Sequence, residues 1–116
     1  MSMKVSTRQV DGITILDLSG RITLGEGSVT IRDAVRDVLA KGSNKILLNL
    51  GDITYIDSSG IGELVGAYTT VRGVSGELKL MALTKRVKDL IQITRLFTVF
   101  DVQVDETAAI SAFRAK

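Results

Sequence analysis

Residues 45–50 read Lys-Ile-Leu-Leu-Asn-Leu, a short and nearly continuous apolar run that limits the possible folds tightly. A strand with one wet face alternates apolar and polar side chains, whereas a strand covered on both faces does not. The run therefore predicts an interior strand with layers packed above and below it. Its flanks predict those layers. Upstream, Ile31, Ala34, Val35, Val38 and Leu39 recur at helical spacing, with Arg32, Asp33, Arg36 and Asp37 on the opposite side. Thr23-Leu24-Gly25-Glu26 fits a capping box before this helix, and Gly42 suits the left-handed residue that closes it. Downstream, Ile61, Leu64, Val65, Tyr68 and Val71 define a second amphipathic helix that Gly73 and Gly76 end.

The remaining segments continue the alternation. Residues 77–82 read as a strand, Val87, Leu90, Ile91 and Thr94 mark a third, shorter helix, and Phe100, Val102 and Val104 alternate as a strand. Asp105-Glu106 then open a final helix with acids at its positive end, and Ile110 and Phe113 form its inner face. At the N-terminus, residues 4–10 and 13–18 flank Asp11-Gly12, a dipeptide that favours tight hairpins. The predicted order is β-β-α-β-α-β-α-β-α, an α/β fold with a mixed, mainly parallel sheet, an N-terminal hairpin and about four helices. With no linker or repeat, residues 1–116 form one domain, able to bury roughly two-thirds of its unfolded surface. In such sheets function collects at the C-terminal ends of strands. Tyr55-Ile-Asp-Ser-Ser-Gly-Ile-Gly62 lies at such an end, on the predicted loop between the 45–50 strand and the 61–72 helix.

Composition removes many function classes. The chain has no cysteine, hence no disulfide, thiolate nucleophile or zinc finger, and no histidine, the commonest general base and metal ligand. The formal charge is +2, and the densest basic cluster, Lys85-Arg86-Val87-Lys88, reads as a solvated helix face rather than a nucleic-acid footprint. No signal-peptide core or membrane-length apolar run is present, so a cytoplasmic protein without membrane insertion is expected.

Three chemical readings fail on particular residues. Gly20 to Ser28 mimics the spacing of a phosphate-binding loop, but Glu26 stands where a lysine should meet phosphate. A hydrolytic Ser58 or Ser59 has no histidine, no S-x-x-K lysine and no nucleophile elbow to activate it. Asp17, Asp52 and Asp57 suggest a magnesium site, yet Asp17 lies inside a strand and no strand-end lysine completes the set. Neither a catalytic residue nor a cofactor or metal site is expected.

Asp57-Ser58-Ser59-Gly60 is first of all a helix start, because Asp and Ser offer oxygens to the free amides of a first turn. Capping leaves the doubled hydroxyl unexplained, and with it two glycines, Gly60 and Gly62, each costing up to about 1 kcal/mol against alanine. A second surface approaching the helix start would explain both. Capping alone and capping with a docking site both remain open on the residues themselves. A phosphate on either serine would suit such a site as a switch. The helix N-terminus tolerates the charge, and a docked partner would not.

The run Asn49-Leu50-Gly51-Asp52-Ile53-Thr54-Tyr55-Ile56-Asp57-Ser58-Ser59-Gly60-Ile61-Gly62 strongly resembles the signature of STAS domains, and in particular that of bacterial anti-sigma factor antagonists. The resemblance extends to an L-x-G turn at Leu18-Ser19-Gly20, to Gly76-Glu77-Leu78 and to Leu96-Phe97-x-x-Phe100. It implies the STAS fold and a partner-switching mechanism in transcription regulation. The unphosphorylated protein binds an anti-sigma factor that is also a serine kinase, freeing the sigma factor. Phosphorylation of the first serine after the aspartate, here Ser58, reverses this, and a PP2C-type phosphatase resets it. Partner contacts then fall on Asp57, Ser58, Ser59, Gly60, Ile61, Gly62 and Thr23. Many members carry an acid where this chain has Thr23, two residues beyond Arg21, so that acid's contacts do not transfer. Direct nucleic-acid binding is not implied, and the expected assembly is a monomer or weak dimer. The alternative within the family is an accessory subunit of an ABC lipid-transport complex.

Overall fold

In the computed structural model, which describes residues 3–114, strand β1 (Lys4–Val10) folds back on β2 (Ile13–Ile22) in antiparallel register, Val10 opposite Ile13. The connecting Asp11 and Gly12 both have positive φ, 53° and 79°, as the tight turn that matches strand twist requires. Helix α1 (Glu26–Ala40), strand β3 (Lys45–Ile56), helix α2 (Ser58–Gly73), strand β4 (Glu77–Met81) and helix α3 (Lys85–Ile93) follow. A single 3₁₀ turn at Leu96–Thr98, strand β5 (Asp101–Gln103) and helix α4 (Glu106–Arg114) complete the described chain. The five strands lie in sequence order, and every pairing after the hairpin is parallel. The element order is the one that the sequence pattern predicts.

The continuous apolar run in β3 has the burial expected of it. Ile46, Leu48 and Leu50 pack into a large core with Ile31, Val35 and Val38 of α1, Leu64 and Val71 of α2, and Val87 and Ile91 of α3. Leu47 points the other way, into a smaller core with Ile13, Ile15, Met81, Ala109, Ile110 and Phe113. Three helices thus share one face of the sheet and α4 covers the other. Period-two alternation along β2 and β3 assigns each side chain its layer. An exposed network ties the second layer down. Arg8 donates to Asp17 and to Glu106, each at 2.6 Å, and Asn49 donates to Asp17 at 2.7 Å. These bonds hold the Asp17 and Glu106 carboxyls below their ordinary range.

The structure departs from the sequence reading in four places. Strand β3 does not end at Leu50 but continues to Ile56, because Ile53 and Ile56 are buried and pair the segment onto an equally extended β2. Leu18-Ser19-Gly20 is accordingly not a turn. It lies within β2 at a break in register, where Gly20 takes a φ of 109°. The Thr23–Glu26 capping box does not form. Gly25 occupies the cap position without a side-chain hydrogen bond, and it is the Thr23 carbonyl that accepts, from the Ser28 amide at 3.2 Å and hydroxyl at 3.1 Å. Residues 100–104 contribute only Asp101–Gln103 to the sheet. Among the described residues, no helix is long and apolar enough to cross a membrane.

Candidate functional site

The extra residues of β2 and β3 carry their C-terminal ends past β4, whose pairing with β3 stops at Asn49–Met81. Two segments leave the sheet there side by side, 23–25 into α1 and Asp57 into α2. Asp57 joins them. As the N-cap of α2 its Oδ1 accepts from the Gly60 amide at 2.8 Å, and its Oδ2 accepts from the Leu24 amide at 3.4 Å. Its own amide donates to the Ile22 carbonyl at 3.3 Å. The Asp57 amide and both carboxylate oxygens are thus engaged, one oxygen on α2 and the other on the segment that leads into α1, and the sequence reading of Asp57 as a cap holds.

The residues that follow divide into two sets. Ser58, Ser59 and Gly62 are exposed, whereas Gly60 and Ile61 are buried and Thr23 is half-buried. The two glycines, alike in sequence, have different grounds. A Cβ on Gly60 would lie 2.2 Å from the Ile22 carbonyl oxygen, so the surface that approaches this glycine is the chain's own β2. Around Gly62 nothing lies within 4 Å of where a Cβ would be. Only Gly62 leaves space for something outside the molecule.

Beside the serines runs an open groove of about 390 Å³ between the end of β3 and helix α3, lined by Tyr55, Asp57, Ser58, Arg86, Leu90 and Ile93 among others. Two guanidiniums stack on the Tyr55 ring. Arg21, opposite Tyr55 in the β2–β3 register, has its Cζ 4.6 Å from the ring centroid, and Arg86 of α3 has its Cζ at 4.3 Å. Apolar side chains stand out at the edges, Leu24 at 78% exposed and Ile93 at 77%. Arg86 belongs to the cluster read as a solvated helix face, and residues 21, 55 and 86 carry no local pattern that joins them. The one sequence hint was position, since Tyr55 sits three residues before Ser58.

The open groove, with the exposed Ser58 hydroxyl at one side, thus brings apolar side chains and an arginine together. Asp57, the carboxylate next to Ser58, is occupied by backbone amides, and no group of three or more acids clusters to hold a metal among the described residues. The family model described as the STAS domain matches residues 4–109. The anti-sigma-B factor antagonist of Bacillus subtilis is 28% identical over 102 residues, 88% of this chain and 92% of that one. The crystal structure of TM1081 from Thermotoga maritima superposes with a TM-score of 0.87 at 25% identity, covering 95% of this chain and 94% of the other. Bacillus SpoIIAA, at 19–20% identity, shares the fold in its unphosphorylated form, with a TM-score of 0.70 over 97% of this chain and 100% of that one. It does so equally in its phosphorylated form, at 0.72 over 95% and 99%. The chain belongs to the STAS-domain family, in its group of anti-sigma factor antagonists.

Proposed function

We propose that this protein regulates transcription by partner switching, with Ser58 as the switch. Unmodified, it binds an anti-sigma factor that has serine kinase activity, and the sigma factor is released. The kinase then transfers the γ-phosphoryl group of ATP to Ser58. The serine oxygen forms the new P–O bond, the bond to ADP breaks, and the hydroxyl proton passes to the kinase or to water. The modified protein dissociates, and a PP2C-type phosphatase returns the serine by hydrolysis. Ser58 is a substrate in this scheme and not a catalyst.

The observation that carries the reading is the division of labour between Asp57 and Ser58. Asp57 caps the helix start with Oδ1 and holds the Leu24 amide with Oδ2, while Ser58 stands exposed at the first helical position with no side-chain hydrogen bond among the described residues. A phosphate there brings about −1.5 to −2 charge. The helix N-terminus accommodates it, so the fold survives. SpoIIAA, whose two forms match this chain equally well, is a protein of this architecture that keeps its fold when phosphorylated. A partner packed over Ser58, Ser59 and Gly62, with Thr23 and Asp57 at the margin, would have to bury the new dianion. A penalty of about 3 kcal/mol lowers affinity 100-fold or more.

Incubation with the cognate kinase and ATP should add one phosphate to the wild-type chain and none to Ser58→Ala, as read by intact mass. Full modification of the alanine variant would remove the assignment. Ser58→Asp should weaken binding to the kinase while its melting temperature stays within a few degrees of wild type.

A further inference from the structure

We propose that Arg86, assisted by Arg21, is a built-in receptor for the phosphate on Ser58, so that modification also withdraws two guanidiniums from the docking face. The inference rests on the reading of Ser58 as the phosphorylated residue and assigns that phosphate a ligand within the same chain. Three observations carry it. Arg86 and Ser58 line one groove, the first from α3 and the second from the start of α2. Both guanidiniums are held over Tyr55, at 4.3 and 4.6 Å from its centroid, a contact with the ring face that occupies no hydrogen-bond acceptor. Neither guanidinium has an ion pair or side-chain hydrogen bond among the described residues, whereas Arg8, Arg32 and Arg114 each hold a carboxylate.

The acids that could neutralise the pair are engaged elsewhere. Asp57 accepts from the Gly60 and Leu24 amides. Asp89, which lines the groove on α3, pairs with Lys85 at 2.8 Å. A stacked guanidinium that keeps its fork free is suited to a phosphate, which it can hold with two parallel N–H···O bonds. Because stacking already restricts the arginine, less side-chain entropy is lost on closing that bond. In the unmodified chain the same two cations face outward beside the exposed Leu24 and Ile93, open to a docked partner. Once Ser58 carries phosphate, the partner meets both an added dianion and a pair of arginines turned inward. A single carboxylate at position 58 supplies less charge and one fewer acceptor oxygen, so Ser58→Asp should reproduce the effect only in part.

The test needs neither kinase nor partner. Phosphoserine is incorporated at position 58 during translation, and its second ionisation is followed by ³¹P NMR in the wild-type, Arg86→Gln, Arg86→Lys and Arg21→Gln/Arg86→Gln backgrounds. The phosphate should titrate below the ordinary value of about 6 in wild type, and the midpoint should rise by about half a pH unit or more in Arg86→Gln. It should rise further in the double variant and less in Arg86→Lys, which keeps the charge but not the fork. The Arg86 Nε–H resonance should move on phosphorylation. Unphosphorylated Arg86→Gln melting with wild type shows that the fold is intact, and ³¹P midpoints identical in wild type and the double variant overturn the proposal. Absence of kinase modification at Ser58 would instead sink the switching scheme without altering this titration.

Discussion

Replacing Gly60 by alanine tests the account of how the site is built. An added Cβ would lie 2.2 Å from the Ile22 carbonyl oxygen, 2.7 Å from Ile56 Cγ1 and 2.8 Å from Ile22 Cγ2. The first of these is backbone within β2 and no rotamer change relieves it, so the start of α2 must lift from the sheet by most of an ångström. That movement also strains the 3.3 Å bond from the Asp57 amide to the same carbonyl. Overpacking of this kind costs about 1–3 kcal/mol, and a weakened backbone hydrogen bond about 1 more. The better helix propensity of alanine returns about 1 kcal/mol. The net loss is about 1–3 kcal/mol, which for a domain of this size lowers the melting temperature by about 4–12 °C. Gly62→Ala is the matched control, because its Cβ would meet nothing within 4 Å. It should stabilise by about 0.5–1 kcal/mol and raise the melting temperature by about 2–4 °C. Thermal and urea unfolding followed by far-UV circular dichroism measure both. A Gly60→Ala protein that melts with or above wild type, or two variants that behave alike, would refute the reasoning.

Three further outcomes follow from the same geometry. Asp57→Ala removes the acceptor for the Gly60 and Leu24 amides and should cost about 1 kcal/mol, near 4 °C in melting temperature, while Asp57→Asn, which keeps one acceptor oxygen, should recover most of it. Arg8→Gln breaks two exposed ion pairs across β1, β2 and α4 and should lower stability by no more than about 1 kcal/mol, read from urea midpoints at low salt and shrinking at high salt. Because hydrogen bonds from Arg8 depress the Asp17 and Glu106 carboxyls in the folded state, their contribution is complete above the unfolded carboxylate range near pH 4. It is lost as pH falls through the lowered folded values, so the gap between wild type and Arg8→Gln should close in acid. Ser75→Gly relieves a positive φ of 62° in a non-glycine residue just after α2 and should leave stability unchanged or slightly raised, whereas Ser75→Val should lower the unfolding midpoint.

Much of the fold was legible in the chain because its signals are local. Asp11-Gly12 specified a hairpin turn through backbone conformation alone, and the apolar run at 46–48 specified two covering layers through the period of a strand. Asp57 announced a helix start because a carboxylate at that position satisfies amides only three residues away. The same locality explains the failures. Thr23 and Glu26 have the spacing of a capping box, but the chain between β2 and α1 passes so close that a Cβ added at Gly27 would lie 2.6 Å from the Arg21 carbonyl oxygen. Residues 51–56 look like a loop by composition and become strand because β2 offers them a partner and the sheet buries Ile53 and Ile56.

The site divides along the same line. By itself the sequence determined that a serine follows a capping aspartate at a helix start, the end of a helix at which negative charge is favoured. It could not separate the two glycines, since one is required by a carbonyl 38 residues earlier in the chain, at Ile22, and the other by nothing inside the molecule. Nor could it bring Arg21, Tyr55 and Arg86 together. Their meeting depends on parallel pairing of β2 with β3 and on α3 crossing the sheet beside them, and both are long-range contacts that no window of neighbouring residues encodes.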